Sequence, residues 1–234
     1  MELKQHTIRL SLIFIVCLIS GCVSIPKQAF DKSTKANIKS ITLLQVQDPT
    51  FYYAVDTSGA GGIALGYSNA VVNHSYEFTH LMSGQELQVG NRLTQELISK
   101  LENSGYSVNV LRGVRPKGTN NLDADFSNIK TDGDAIMDVR VNVIGYTSAV
   151  FSKEFRPWIG VSSRLVNAQN YKQLYFEVFG YGPDNSIGQD ITHIPQSGNH
   201  RYGSFHEITS NLEEAGKVLL IGIPIISDAI SKQL

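Results

Sequence analysis

Nucleophiles, bases and metal ligands at workable spacings are scarce in this chain. The histidines beyond the first twenty residues are His74, His80, His193, His200 and His206. None belongs to an HExxH or HxH pattern, and His206-Glu207 lacks a second histidine at the spacing that brings two rings to one zinc ion. No serine sits in a G-x-S-x-G elbow or an S-x-x-K element. Remote residues can still fold into a triad, so a hydrolase stays open as a third reading behind two non-enzymatic ones. Asp123, Asp125, Asp132 and Asp134 crowd one turn-rich stretch. A calcium loop counted from Asp123 requires glycine sixth and glutamate twelfth, but meets Asn128 and Asp134. These read as solvated turn carboxylates, and neither a metal nor a cofactor is expected.

Glycine-rich residues 59–66 raise the question of a phosphate cradle. Gly59, Gly61 and Ala64 fit G-x-G-x-x-A formally, yet about a dozen residues separate them from the strand they would have to follow directly. Gly62 and Gly66 are spaced for a close backbone contact. The insertion 58–72 is therefore a packed loop or a contact surface, with Gly62 and Gly66 as candidate partner contacts. A second candidate contact is Phe155-Arg156-Pro157-Trp158, where the one tryptophan could anchor a partner beside Arg156, or could simply edge a strand entrance.

The two cysteines are Cys17 and Cys22. Cys17 lies in an apolar run, Leu10 to Ile19, preceded by Lys4 and Arg9 and about half the ~20 residues a membrane span needs. Ile19-Ser20-Gly21-Cys22 then resembles the bacterial lipoprotein signal: an aliphatic residue, two small residues and a cysteine. That resemblance implies removal of residues 1–21, acylation of Cys22 and attachment to membrane through the lipid. Val23, where an inner-membrane lipoprotein often has aspartate, implies the outer membrane. With Cys17 removed, the mature chain keeps one cysteine, whose sulfur would carry the lipid, and can form no internal disulfide.

The chain of 234 residues is 42% hydrophobic and carries a net charge of −1. Glu2, Lys4 and Arg9 contribute +1 of that, leaving −2 after cleavage. With no basic stripe, nucleic acid is not an expected partner. Residues 22–36 read as a polar, lipidated tether, and residues 37–234 as one periplasmic domain.

Ile38 to Val46, stopped by Asp48-Pro49, reads as a first strand. Ser83 and Glu86 look like a capping box for a helix with Val89, Leu93, Leu97 and Leu101 at fourth positions, ended by Gly105. A second strand, Tyr106 to Val110, should pair with the first in a βαβ unit. Residues 137–143 alternate as a half-buried strand with a polar face, and residues 159–165 and 174–178 form a hairpin turned at Asn167–Asn170. Phe205 to Leu219 marks a final helix, which Pro224 should kink or end. The fold class is α/β (α+β), a mixed sheet of about five strands with helices packed on it.

This order, with Gly145-Tyr146, Arg156-Pro157 and Leu174-Tyr175, resembles a set of uncharacterised bacterial lipoproteins. More distantly it is similar to the TolB N-terminal domain, lipoprotein activators of peptidoglycan synthases and the curli-secretion lipoprotein. The resemblance implies a lipid-anchored, non-catalytic periplasmic module that binds an envelope protein. A ring-forming secretion or pore subunit, self-associating with residues 59–72 near the bilayer, is the alternative.

Overall fold

The structure is a computed structural model describing residues 26–56, 69–118, 124–148, 152–183 and 190–234, with residues 69–73 described in backbone only. Cys22, Gly62 and Gly66 lie outside the described residues, so the structure does not bear on the roles expected of them. Among the described residues, seven strands form one mixed sheet: β1 (Ser40–Leu44), β2 (Tyr53–Val55), β3 (Ser107–Leu111), β4 (Ala135–Ser148), β5 (Phe155–Asn167), β6 (Gln173–Gly182) and β7 (Ile191–Pro195). The order is β3-β1-β4-β5-β6-β7, with β2 also paired to β4. The two strands beyond the expected five are β2 and β7, each too short to show an alternating pattern.

The βαβ unit forms as expected. β1 and β3 pair in parallel, Ser40 opposite Ser107 through Leu44 opposite Leu111, and α2 (Val89–Asn103) crosses between them. The apolar stripe of α2, Val89, Leu93, Leu97 and Leu101, is fully buried. Gly105, at φ +93°, ends that helix, and Tyr106 donates its backbone N–H to the Leu101 carbonyl at 3.2 Å. Helices α1 (Asn69–Ser83), α2 and α4 (Leu212–Ser231) cover one face of the sheet. On the other face a smaller cluster of Leu44, Phe126, Ile129, Ile136 and Val166 closes one end. The β5–β6 hairpin turns where expected, with Asn167 Oδ1 accepting from the N–H groups of Gln169 and Asn170.

The capping box does not form. Ser83 is the last residue of α1, and its hydroxyl donates back to the His80 carbonyl at 2.7 Å. The N-terminus of α2 takes its acceptor from another part of the chain: Gly90 N–H donates to Asp48 Oδ1 at 2.8 Å. A Cβ on Gly90 would stand 2.5 Å from the Val46 carbonyl oxygen, so the missing side chain is what lets residues 46–48 lie on the helix end. We therefore expect Asp48→Ala to cost about 1 kcal/mol as a lost cap, and Ser83→Ala to be nearly neutral, in chemical denaturation. Equal costs would return the cap to Ser83.

Pro224 does not end α4, which runs to Ser231 after the short α3 (Phe205–Ser210). The proline is exposed, while Gly222, Ile223 and Ile226 around it are buried against the sheet. Packing of that face outweighs the roughly 3 kcal/mol helix penalty of an interior proline. No helix among the described residues is long and apolar enough to cross a membrane.

Part of the expected tether is bound to the domain. Gln28 pairs its backbone with Phe176, at 2.8 and 3.0 Å, on the edge of β6 that β7 occupies further along. Lys27 Nζ lies 2.5 Å from Glu177 Oε1, a carboxylate with 1% of its side chain exposed, which also accepts from Thr192. Phe30 is buried in the core, and residues Lys32–Asn37 form a 3-10 turn capped by Asp31. The apolar character of Phe30 and a carboxylate awaiting a lysine override the polar composition of the stretch.

Candidate functional site

After β1 the chain leaves the sheet, and Pro49, with no N–H to give a ladder, helps keep it out. After eight intervening residues it returns as β2 on the same edge of β4. β1 covers Ala135 to Met137 of that edge and β2 covers Gly145 to Thr147. Among the described residues no strand pairs with the stretch between, and β4 is buried at both ends but partly exposed over Arg140 to Val143. A register shift between Val141 and Val143 falls in the same place.

Helix side chains hold the excursion open at both ends. Thr94 of α2 accepts the Val46 N–H at 3.0 Å. Thr79 and Ser75 of α1 accept the N–H groups of Tyr52 and Ala54, and the Thr79 hydroxyl donates to the Tyr52 carbonyl at 3.0 Å. These hydroxyls satisfy backbone groups of β2 (Ala54) and of the excursion beside it (Val46, Tyr52) that would otherwise lie unpaired. At the other end of the gap, Gly145 has φ +151° and a Cβ there would meet the Tyr53 carbonyl oxygen at 1.9 Å, so only glycine lets β2 pair at this point.

The gap is a cleft of about 530 Å³ between residues 47–50, the segment following β3 and the middle of β4. Its polar lining includes Gln47, Asp48, Thr50, Arg115, Arg140 and Asn142. The position, at the carboxyl ends of parallel strands β1 and β3, is where open α/β sheets commonly hold ligands. Two non-glycine residues with left-handed backbone, Glu86 and Gln88, lie at φ 44° and 51° in the adjoining turn between α1 and α2. That turn borders an adjacent hollow sharing Asp48 and Thr50 with the cleft. Burial, with the Asp48 carboxylate second, pushes the Tyr52 hydroxyl there up to about 12, so it remains a neutral phenol.

Beneath the cleft, Asp138 has 2% of its side chain exposed and holds two guanidiniums. Arg115 Nη1 donates to Oδ1 at 2.9 Å and Arg140 Nε to Oδ2 at 2.8 Å. Arg115 also donates to the Gln45 carbonyl at 2.5 Å, tying the segment after β3 to the end of β1. Arg164, opposite Asp138 on β5, stacks over the Phe176 ring at 5.1 Å. Burial lowers the Arg115 and Arg164 pKa values; Asp138 opposes this and Arg140 adds to it. Even so lowered, a guanidinium stays charged near neutrality. The arrangement concentrates positive charge and hydrogen-bond donors at an open hollow, which suits it to holding an anion.

Arg156 and Trp158 lie elsewhere, on β5 opposite Thr147 and Gly145. Arg156 faces Glu154 at 3.5 Å, and Glu154 also pairs with Arg201 at 3.0 Å. Trp158 lines a separate hollow of about 110 Å³ with Val143, Gly160, Ile191 and His193. The structure brings neither residue to the arginine cleft. Asp125 behaves as a turn carboxylate, accepting from Ser127, whereas Asp134 departs from the expected solvated turn and accepts from the backbone N–H groups of Lys39 and Ser40 at the start of β1. No three His, Cys, Asp or Glu side chains converge as a metal site among the described residues.

Sequence reasoning missed Asp138, Arg140, Arg115 and Arg164. Asp138-x-Arg140 within a strand was the available signal, but alternation made it look like a solvated face. Only the fold places Arg115 beside it, 23 residues away in sequence.

No protein-family model and no curated protein matches the chain. Among solved structures it is similar to lipoprotein GNA1162 from Neisseria meningitidis, at 15% identity and TM-score 0.30 over 60% of this chain and 80% of that one. It is also similar to protein XCC0632 from Xanthomonas campestris, at 10% identity and TM-score 0.33 over 90% of this chain and 92% of that one. A PelC dodecamer from Paraburkholderia phytofirmans gives 8% identity and TM-score 0.29 over 86% of this chain and 95% of that one.

Proposed function

We propose that this chain is a lipid-anchored, non-catalytic binding module of the bacterial cell envelope, carried at the outer membrane by Cys22 and offering its arginine-lined cleft to a partner. The observation that carries this reading is the interrupted β4 edge. Among the described residues, β4 is paired at both ends of this edge and leaves a hollow between, and the groups around it are guanidiniums, amides, a hydroxyl and the Asp48 carboxylate, which the Gly90 N–H engages, a set suited to binding. Support for the anchor comes from Ile19-Ser20-Gly21-Cys22 and from the docked start of the domain. Lys27 is the fifth residue after Cys22, a reach of roughly 17 Å fully extended, so the lipid would keep β6 and β7 near the bilayer.

A photo-crosslinking residue at Thr50, introduced in intact cells, is expected to capture a discrete envelope component. Capture should vanish when Cys22→Ser leaves the chain unlipidated. Mass spectrometry of the wild type should find a mature chain beginning at acylated Cys22, while Cys22→Ser stays unprocessed or unacylated. A mature, unlipidated chain beginning elsewhere would remove the anchor. A detergent-solubilised mass many times that of one chain would favour a ring-forming subunit instead.

A further inference from the structure

We propose that the cleft between β1 and β2 binds a phosphate group carried on a polar body, with Arg140 and Arg115 as its principal contacts. The inference rests on the cleft being the binding site, and it names the ligand chemistry. A buried aspartate needs one cationic partner to be neutralised, yet Asp138 has two in contact, Arg115 and Arg140. Two guanidiniums on one carboxylate leave a surplus of positive charge beneath the cleft, which Asp48 opposes at the rim. Asp48 is itself engaged by the Gly90 N–H at the N-terminal, positive end of α2.

The two cations in contact with Asp138 are also reachable. The Arg115 and Arg140 side chains are 22% and 23% exposed, against 2% for the aspartate between them. Arg140 spends only Nε on Asp138, and its terminal nitrogens have no hydrogen-bond partner among the described residues. Two guanidiniums fixed by one carboxylate suit a tetrahedral dianion, which can accept from donors in different planes. Gln47, Thr50 and Asn142 supply amides and a hydroxyl around the remaining space, and about 530 Å³ is room for more than a bare ion. A phosphorylated sugar or a lipid headgroup would each present this chemistry.

The full-length lipidated protein in detergent would be titrated calorimetrically with inorganic phosphate, glucose 6-phosphate and short-chain phosphatidic acid. At least one should bind, more weakly as salt rises. Tighter binding of the sugar phosphate assigns a soluble or saccharide source, and tighter binding of phosphatidic acid a membrane source. Arg140→Gln should weaken binding by about tenfold or more. Arg112→Gln, which removes an exposed cation outside the cleft, should leave it unchanged. If Arg140→Gln does not fold, Arg140→Lys keeps the charge without the planar fork and should still weaken binding. Absence of binding to all three probes by folded wild type would overturn the assignment, as would wild-type affinity in the Arg140 variant. Capture through Thr50 alongside absent phosphate binding would sink the phosphate assignment and leave the binding module standing; failure of both would sink both.

Discussion

A protein with aspartate at position 97 is expected not to fold. Leu97 has 0% exposure at the middle of the buried stripe of α2, between Leu93 and Leu101 and against the sheet core. The substitution removes roughly 1.5–3 kcal/mol of apolar burial. It also strands a carboxylate with no partner, at a further cost of several kcal/mol. Together these approach the ~5–15 kcal/mol that holds a domain of this size. Circular dichroism and thermal melting of the purified protein are the measurement, with Gln95→Asp on the exposed face of the same helix as a control expected to change stability by no more than about 0.5 kcal/mol. A cooperative melt at the wild-type temperature for Leu97→Asp would take α2 out of the core.

Valine in place of Gly145 should detach β2. Any Cβ at this position would sit 1.9 Å from the Tyr53 carbonyl oxygen and 2.7 Å from its carbonyl carbon, and backbone atoms cannot swing aside as a side-chain tip can. The backbone at φ +151° adds strain of roughly 1–3 kcal/mol for a residue with a side chain. A loss of about 3 kcal/mol or more is expected, with faster hydrogen exchange at Tyr53 to Val55. Gly105→Ala makes the comparison: φ is +93° but nothing lies within 4 Å of the added carbon, so only the conformational cost, about 1 kcal/mol, should appear. If Gly145→Val keeps both stability and protection of β2, the close approach is not what shapes the cleft. Loss of β2 would also open the far wall of the cleft, so this variant should lose capture through Thr50.

These two residues mark different levels of legibility. The stripe containing Leu97 was readable because apolar residues every fourth position report one buried face of a helix, whatever that face meets. The β5–β6 hairpin and its Asn167 turn were readable for a like reason, since they depend on residues close together in the chain, whereas the pairing of distant β1 and β3 followed from the strand–helix–strand order and the rules for parallel crossovers. Gly145, by contrast, was only one glycine beside a tyrosine until β2 was seen pressed against it. β2 and β7 are too short to carry a period, and the alternating polar side of β4 gave no sign that Asp138 lay beneath other atoms.

The sequence by itself determined the helical stripe and the mixed α/β class, because local periodicity dictates which faces must be covered, and the strand–helix–strand order then implied the parallel βαβ core. Tertiary structure alone decided that Asp48, and not Ser83, caps α2, that Lys27 and Gln28 belong to the domain, and that among the described residues β4 is left open between β1 and β2. It also decided that Arg115 and Arg140 converge on one carboxylate. Each of these depends on groups distant in the chain meeting within hydrogen-bond range, and a buried charge selects its partners by position in space, which no spacing along the chain encodes.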